Sequence, residues 1–140
     1  MTSDQVDLVQ ASFAKISPIA ETAAGLFYGR LFEIAPQTKS LFHADMAEQG
    51  RKLMTTLGVV VNGLKNLDEI LPAAKALAVK HVGYGVTATD YGPVGEALIW
   101  TLGQGLGPDF TPEVKEAWLS AYSALSGVMI AEAYGKEAAA

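Results

Sequence analysis

Cysteine is absent from this 140-residue chain. That excludes disulfides, thiolate metal sites, thiol nucleophiles and covalent cofactor attachment through a Cys-x-x-Cys-His motif. Histidine is nearly absent as well. The two present, His43 and His81, are too few for an all-histidine zinc site, and only a mixed His–carboxylate site stays open. Charge is sparse at 18%, and basic residues are the minority, 10 against 15 acidic, for a net charge of -5. This excludes the basic face that nucleic-acid backbones require. No long apolar run occurs: Leu57 to Val61 falls far short of the roughly 20 residues that span a bilayer. The opening Met1-Thr2-Ser3-Asp4 is polar and acidic, unlike a secretory leader. The expectation is a cytoplasmic protein without membrane or nucleic-acid partners.

What is present is apolar: half of the residues are hydrophobic. A chain of this length reads as one domain, residues 1–140, burying roughly two-thirds of its unfolded surface without a staple. Helical periodicity dominates and strand alternation is hard to find. Thr2 with Gln5 predicts a capping box ahead of Val6, Val9, Phe13 and Ile16, and Ser17-Pro18 predicts a break. A second helix is expected from about Ile19 to Ile34, and a third from about Met46 to Leu64. In the latter, Met46, Gly50, Leu53, Leu57, Val60 and Leu64 form a stripe. Asn66 with Glu69 starts a fourth helix, whose face carries Ile70, Ala74, Leu77, His81 and Tyr84, with Gly83 and Gly85 at its end. Asp90 is expected to cap a fifth, stopped by the glycines before Pro108. Thr111-Pro112-Glu113 is a strong start for the last helix, faced by Val114, Trp118, Tyr122, Leu125 and Met129. The fold class is all-α.

Two polar side chains interrupt the apolar stripes. His81 lies in line with Leu77 and Tyr84, and Gln49 stands at the edge of the stripe containing Leu53. An unpartnered buried polar group costs about 1–3 kcal/mol. His81 is therefore either a satisfied core histidine or a metal ligand whose second ring nitrogen donates to a nearby acceptor. Gln49 is either a surface residue or a donor at a site. Gly103-x-Gly105-x-Gly107 lies at a helix end and fails the dinucleotide fingerprint. No phosphate loop and no nucleophile elbow occur.

The stretch Lys80-His81-Val82-Gly83-Tyr84-Gly85-Val86, followed by Tyr91-Gly92-Pro93-Val94-Gly95, resembles the bacterial single-domain haemoglobins, the globin group that includes the haem domain of flavohaemoglobins. Leu26-Phe27-Tyr28, Pro36 through Leu41-Phe42, and Trp118-Leu119-Ser120-Ala121-Tyr122 match as well, so the likeness runs from Val6 to Glu132. It implies a globin fold of about six to eight helices enclosing a crevice for non-covalent haem b, with His81 on the iron. By the same likeness Tyr28 and Gln49 are distal donors, Leu53 is the apolar gate, and Phe42 packs on the haem. The rest of the lining would be Leu57, Leu77, Val86, Val94 and Met129, with Lys52 near a propionate and His43 outside the ligand set. Ala24 and Gly50 would mark a close helix crossing. On the proximal side Tyr91 would tune His81 together with a glutamate of the last helix. The position of that glutamate holds Ala133 here, and the nearest carboxylate, Glu132, is one residue early and so about 100° round the helix.

The function implied is reversible oxygen binding at a five-coordinate ferrous iron, with NO and CO as further ligands. Nitric oxide detoxification would need an external reductase, because 140 residues leave no room for a reductase domain. Two alternatives remain: a peroxidase-like haem enzyme, or one handling sulfide or nitrite, and a haemless globin-fold interaction module. A monomer or weak homodimer is expected.

Overall fold

A computed structural model describes residues 2–41, 45–83 and 91–139, without the side chains of 41, 67, 80, 82–83 and 131–139. Among the described residues six α-helices follow one another: α1 Ser3–Ile16, α2 Ala20–Ile34, α3 Met46–Asn62, α4 Leu67–Gly83, α5 Tyr91–Leu106 and α6 Pro112–Ala139. Short 3₁₀ turns join several of them, at Ser17–Ile19, Pro36–Leu41, Leu64–Asn66 and Gly107–Asp109. The fold is all-α, at the low end of the expected helix number.

Local chemistry sets most boundaries. The Thr2 hydroxyl accepts from the Gln5 amide at 3.1 Å while the Gln5 side chain accepts from the Thr2 N–H at 3.0 Å, so two orphan donors are satisfied reciprocally. Thr111 likewise accepts from the Val114 amide, with Pro112 as the first helical residue. After α5, Gly107 takes φ +55°, a left-handed conformation that L side chains resist. The third helix ends two residues before the expected Leu64, because the Gly63 cap amide turns back onto carbonyls of the last turn. Ile19 belongs to the preceding 3₁₀ turn and not to α2.

The stripes meet as the periodicity requires. α2 packs on α5 and α3, and α6 packs on α1 and α4. Trp118, 2% exposed, anchors α6 against α1, and its indole N–H donates to Ser12 Oγ at 2.8 Å. A buried tryptophan needs such a partner for its one polar atom. A Cβ added to Gly50 would stand 2.8 Å from the Ala24 Cβ, so α2 and α3 cross at their smallest residues, as expected. That contact explains a glycine inside a helix, where it otherwise costs about 1 kcal/mol.

Candidate functional site

His81 lies in the last turn of α4, half-buried. Its Nδ1 sits 2.7 Å from the carbonyl oxygen of Leu77, one turn back on the same helix. A carbonyl can only accept, so Nδ1 carries the proton and Nε2 carries the lone pair of the neutral ring. This is the tautomer a metal ligand needs, with ring rotation fixed by the backbone. Tyr91, the first residue of α5, stacks beside the imidazole, ring centroids 6.4 Å apart and planes 29° from parallel. Tyr91 is held in turn from α6. The Tyr122 hydroxyl donates to the Tyr91 carbonyl at 2.5 Å, and the Tyr122 ring lies where a Cβ on Gly95 would stand, 2.7 Å away. Burial, reinforced by the charge of neighbouring Tyr91, pushes the Tyr122 phenol well above the usual tyrosine range. The shift favours the protonated, donating form.

Tyr28 and Gln49 meet across the α2–α3 crossing. The Gln49 amide donates to the Tyr28 hydroxyl oxygen at 3.3 Å. Tyr28 is 7% exposed, and burial raises its phenol above the ordinary value of 10.0, offset in part by the bond from Gln49. A phenol that accepts one hydrogen bond can also donate one. Phe27 presses edge-on against the Tyr28 ring, centroids 5.0 Å apart. Two polar groups are thus concentrated in an otherwise apolar neighbourhood of Phe27, Leu31, Leu53 and Val94.

The core separates along this division. Leu53 and Val94 pack with Tyr28 in one cluster, whereas Leu77 and Met129 pack with Tyr91 in another. Leu57 belongs to a third, built around Trp118. Among the described residues α3 and α4, which carry Gln49 and His81, share almost no packing interface. An apolar cleft of about 270 Å³ lies between them, lined by Thr56, Val59, Val60, Ile70 and Leu77 among others. Tyr28, Gln49, His81 and Tyr91 are not among the residues that line this cleft.

Other expected site residues fall variously. Lys52 is exposed on α3 and lies 3.9 Å from Glu48 in an i,i+4 ion pair. Phe42, His43, Tyr84, Gly85, Val86 and Asp90 lie outside the described residues, as does the side chain of Glu132. Tyr122 is the residue that sequence reasoning underrated. It appeared as one member of an apolar stripe, although a tyrosine there carries a hydroxyl that must find a partner.

A globin family model matches residues 25–129. Curated relatives include flavohemoproteins of Rhodopirellula baltica, 28% identical over 93% of this chain, and of Rhizobium meliloti, 27% identical over 92%. A third, from Bacillus subtilis, is 24% identical over 89%. This chain covers 33%, 33% and 32% of those proteins, so it spans about a third of their length. Among solved structures, an engineered carbene transferase built on a Rhodothermus marinus protein described as a nitric oxide dioxygenase superposes with a TM-score of 0.87. It is 27% identical, and the match covers 99% of this chain and 97% of that one. The family model spans the helices that carry Tyr28, Gln49, His81 and Tyr91, and the chain belongs to the globin family.

Proposed function

We propose that this chain is a haem protein that takes up oxygen and related diatomics reversibly and, given an electron donor, turns nitric oxide and oxygen into nitrate. The observation that carries the reading is the pairing of a prepared imidazole on α4 with a donor pair on α3 and α2, on helices that barely touch. The donor set fits the group. A chain with two histidines and no cysteine offers few metal-binding side chains, and a macrocycle asks for a single axial one. When bound, non-covalent haem b supplies an iron that holds diatomics and exchanges one electron.

The chain's own residues do the rest. His81 Nε2 is the metal-binding atom, and the bond from Nδ1 to the Leu77 carbonyl holds the ring in one tautomer and orientation. Tyr91 limits rotation of the imidazole by stacking on it, and Leu77 and Met129 provide apolar cover on that side. By the family resemblance Phe42, Val86 and Leu57 would contribute further lining, and Lys52 would serve a propionate. Opposite, Leu53 and Val94 pack in the apolar cluster that holds Tyr28. Tyr28 and Gln49 supply an O–H and an N–H donor for a polarised diatomic, in an apolar neighbourhood where donors act strongly. The raised phenol of Tyr28 keeps its proton at neutral pH, so it serves as a donor there and not as a base.

Conversion of nitric oxide and dioxygen to nitrate consumes one electron per turnover. In this reading that electron comes from a donor outside the globin domain, in the cytoplasm. The test is spectroscopic. Purified protein supplied with haemin should give a sharp Soret band that shifts on reduction and again with carbon monoxide. The reduced, oxygenated protein mixed with nitric oxide should yield nitrate in equal amount. A protein that stays colourless with haemin contradicts the whole reading. One that binds oxygen but releases no nitrate contradicts the second half.

A further inference from the structure

We propose that Met46 and Met54 form a reversible oxidation site, at which hydrogen peroxide converts the thioethers to sulfoxides and loosens the α2–α3 crossing that holds Tyr28 against Gln49. The oxidation is independent of the haem reading, whereas its consequence for ligand binding rests on that reading.

The chain has four methionines, and two of them stand on either side of one contact. Met46, Gly50 and Met54 are spaced four residues apart on α3, so they share the face turned to α2. Gly50 is the point of close approach, where an added Cβ would stand 2.8 Å from the Ala24 Cβ. One thioether therefore lies a turn before the crossing and the other a turn after it. Both line a crevice of about 400 Å³ between α2 and α3, together with Ala24, Tyr28, Phe32 and Gly50. The crevice is open to solvent, and exposed Glu21 and Arg51 belong to its lining. A small polar oxidant can enter such a space. Met46 and Met54 are half-buried, whereas Met129 is 4% exposed and packs with Tyr91 in another cluster. Both crevice methionines also carry core packing. Met46 lies against the cluster that holds Tyr28, and Met54 against the one built around Trp118.

The chemistry follows from that placement. Methionine sulfur is soft and polarisable, and it attacks one oxygen of the peroxide. The O–O bond breaks, an S–O bond forms, the sulfur gives up two electrons, and the second oxygen leaves as water. The sulfoxide is polar and chiral, disrupts apolar packing, and is returned to the thioether by sulfoxide reductases. At Met46 the new oxygen falls beside the apolar cluster of Phe27, Tyr28 and Leu31, where a polar atom needs a partner. Gln49 is the residue before Gly50 and lies 3.3 Å from the Tyr28 hydroxyl, so separation of the two helices breaks that contact. The site thus couples oxidant exposure to weaker retention of a ligand.

The test treats the full chain, haem-loaded and held in the ferrous carbon monoxide form, with hydrogen peroxide and follows each methionine by peptide mass spectrometry. Met46 and Met54 should each gain one oxygen atom about tenfold faster than Met129, because susceptibility follows exposure. Oxygen dissociation from the oxidised protein should quicken by roughly tenfold and return to the parent rate after treatment with a methionine sulfoxide reductase. The double variant Met46→Leu, Met54→Leu conserves side-chain volume and so keeps the fold. Given the same peroxide, it should keep its dissociation rate, whereas Met129→Leu should respond as the parent does. Met46 and Met54 oxidised no faster than Met129 would overturn the site. An oxidised parent with an unchanged dissociation rate, or an equal quickening in the double variant, would overturn its consequence. A parent with no Soret band refutes the haem reading alone. The same chain then tests the site by oxidation and by urea unfolding, where the oxidised parent should unfold at lower urea than the oxidised double variant.

Discussion

The two sides of the candidate site are built on different plans. On the α2–α3 side, two functional side chains from different helices meet directly, and their meeting depends on how closely the backbones approach. Ala24 against Gly50 sets that approach, and Tyr28 to Gln49 at 3.3 Å is its product. On the α4 side, His81 is held by its own helix through the Leu77 carbonyl, and its neighbour Tyr91 is held by a third helix through Tyr122. One side is positioned by helix crossing and the other by hydrogen bonds to backbone. Changes on the first side should be read in ligand binding and changes on the second in the iron–histidine bond.

Bulk at the crossing gives the largest expected effect. Gly50→Leu forces a side chain into the space held by the Ala24 Cβ, and overpacking of this kind costs about 1–3 kcal/mol. Urea unfolding should show the loss, and carbon monoxide binding should change with it because the Tyr28–Gln49 contact opens. The matching change on the other side, Gly95→Val, meets the Tyr122 ring and should cost a similar ~1–3 kcal/mol. Its spectroscopic effect should appear in the iron–histidine vibration and leave oxygen dissociation little altered.

Removing donors gives smaller effects. Tyr28→Phe deletes one donor from the α2–α3 side, and oxygen dissociation from the haem-loaded protein should quicken by about tenfold for ~1.4 kcal/mol of lost hydrogen bonding. Tyr122→Phe removes the bond to the Tyr91 carbonyl at a cost of about 1 kcal/mol in urea unfolding. It should shift the iron–histidine vibration while leaving oxygen dissociation near the parent value. Equal responses of both observables to both substitutions would erase the distinction between the sides.

The smallest effect is one of pH. Burial raises the Tyr28 phenol above the 10.0 of an unfolded chain, and Tyr122 is raised further by burial and by Tyr91. The folded state then holds these protons more tightly than the unfolded state. Their contribution is fully present below pH 10 and is lost as pH rises through the folded values. Stability measured against pH should fall above about 10 in the parent, and the slope should flatten in Tyr28→Phe and Tyr122→Phe.

How much of this was legible in the sequence follows from range. The Thr2–Gln5 capping box and the Thr111-Pro112 start are local and stood as expected. The His81 stripe was legible too, since its partner Leu77 lies one turn away on the same helix. The Ala24–Gly50 crossing was expected from the family resemblance and not from the glycine alone, since Gly25 and Gly29 on α2 meet nothing within 4 Å. Tyr122 on Tyr91 was not, because its partner is a backbone carbonyl on another helix and no spacing rule connects them.

The central claim is that His81 holds the iron of a non-covalent haem while Tyr28 faces its ligand. Haemin titration of His81→Gly beside Tyr28→Phe, with and without added imidazole, tests it most directly. The account predicts that Tyr28→Phe keeps the parent Soret band, and that His81→Gly loses it and regains it when imidazole is supplied. A His81→Gly protein whose spectrum matches the parent without imidazole would contradict it.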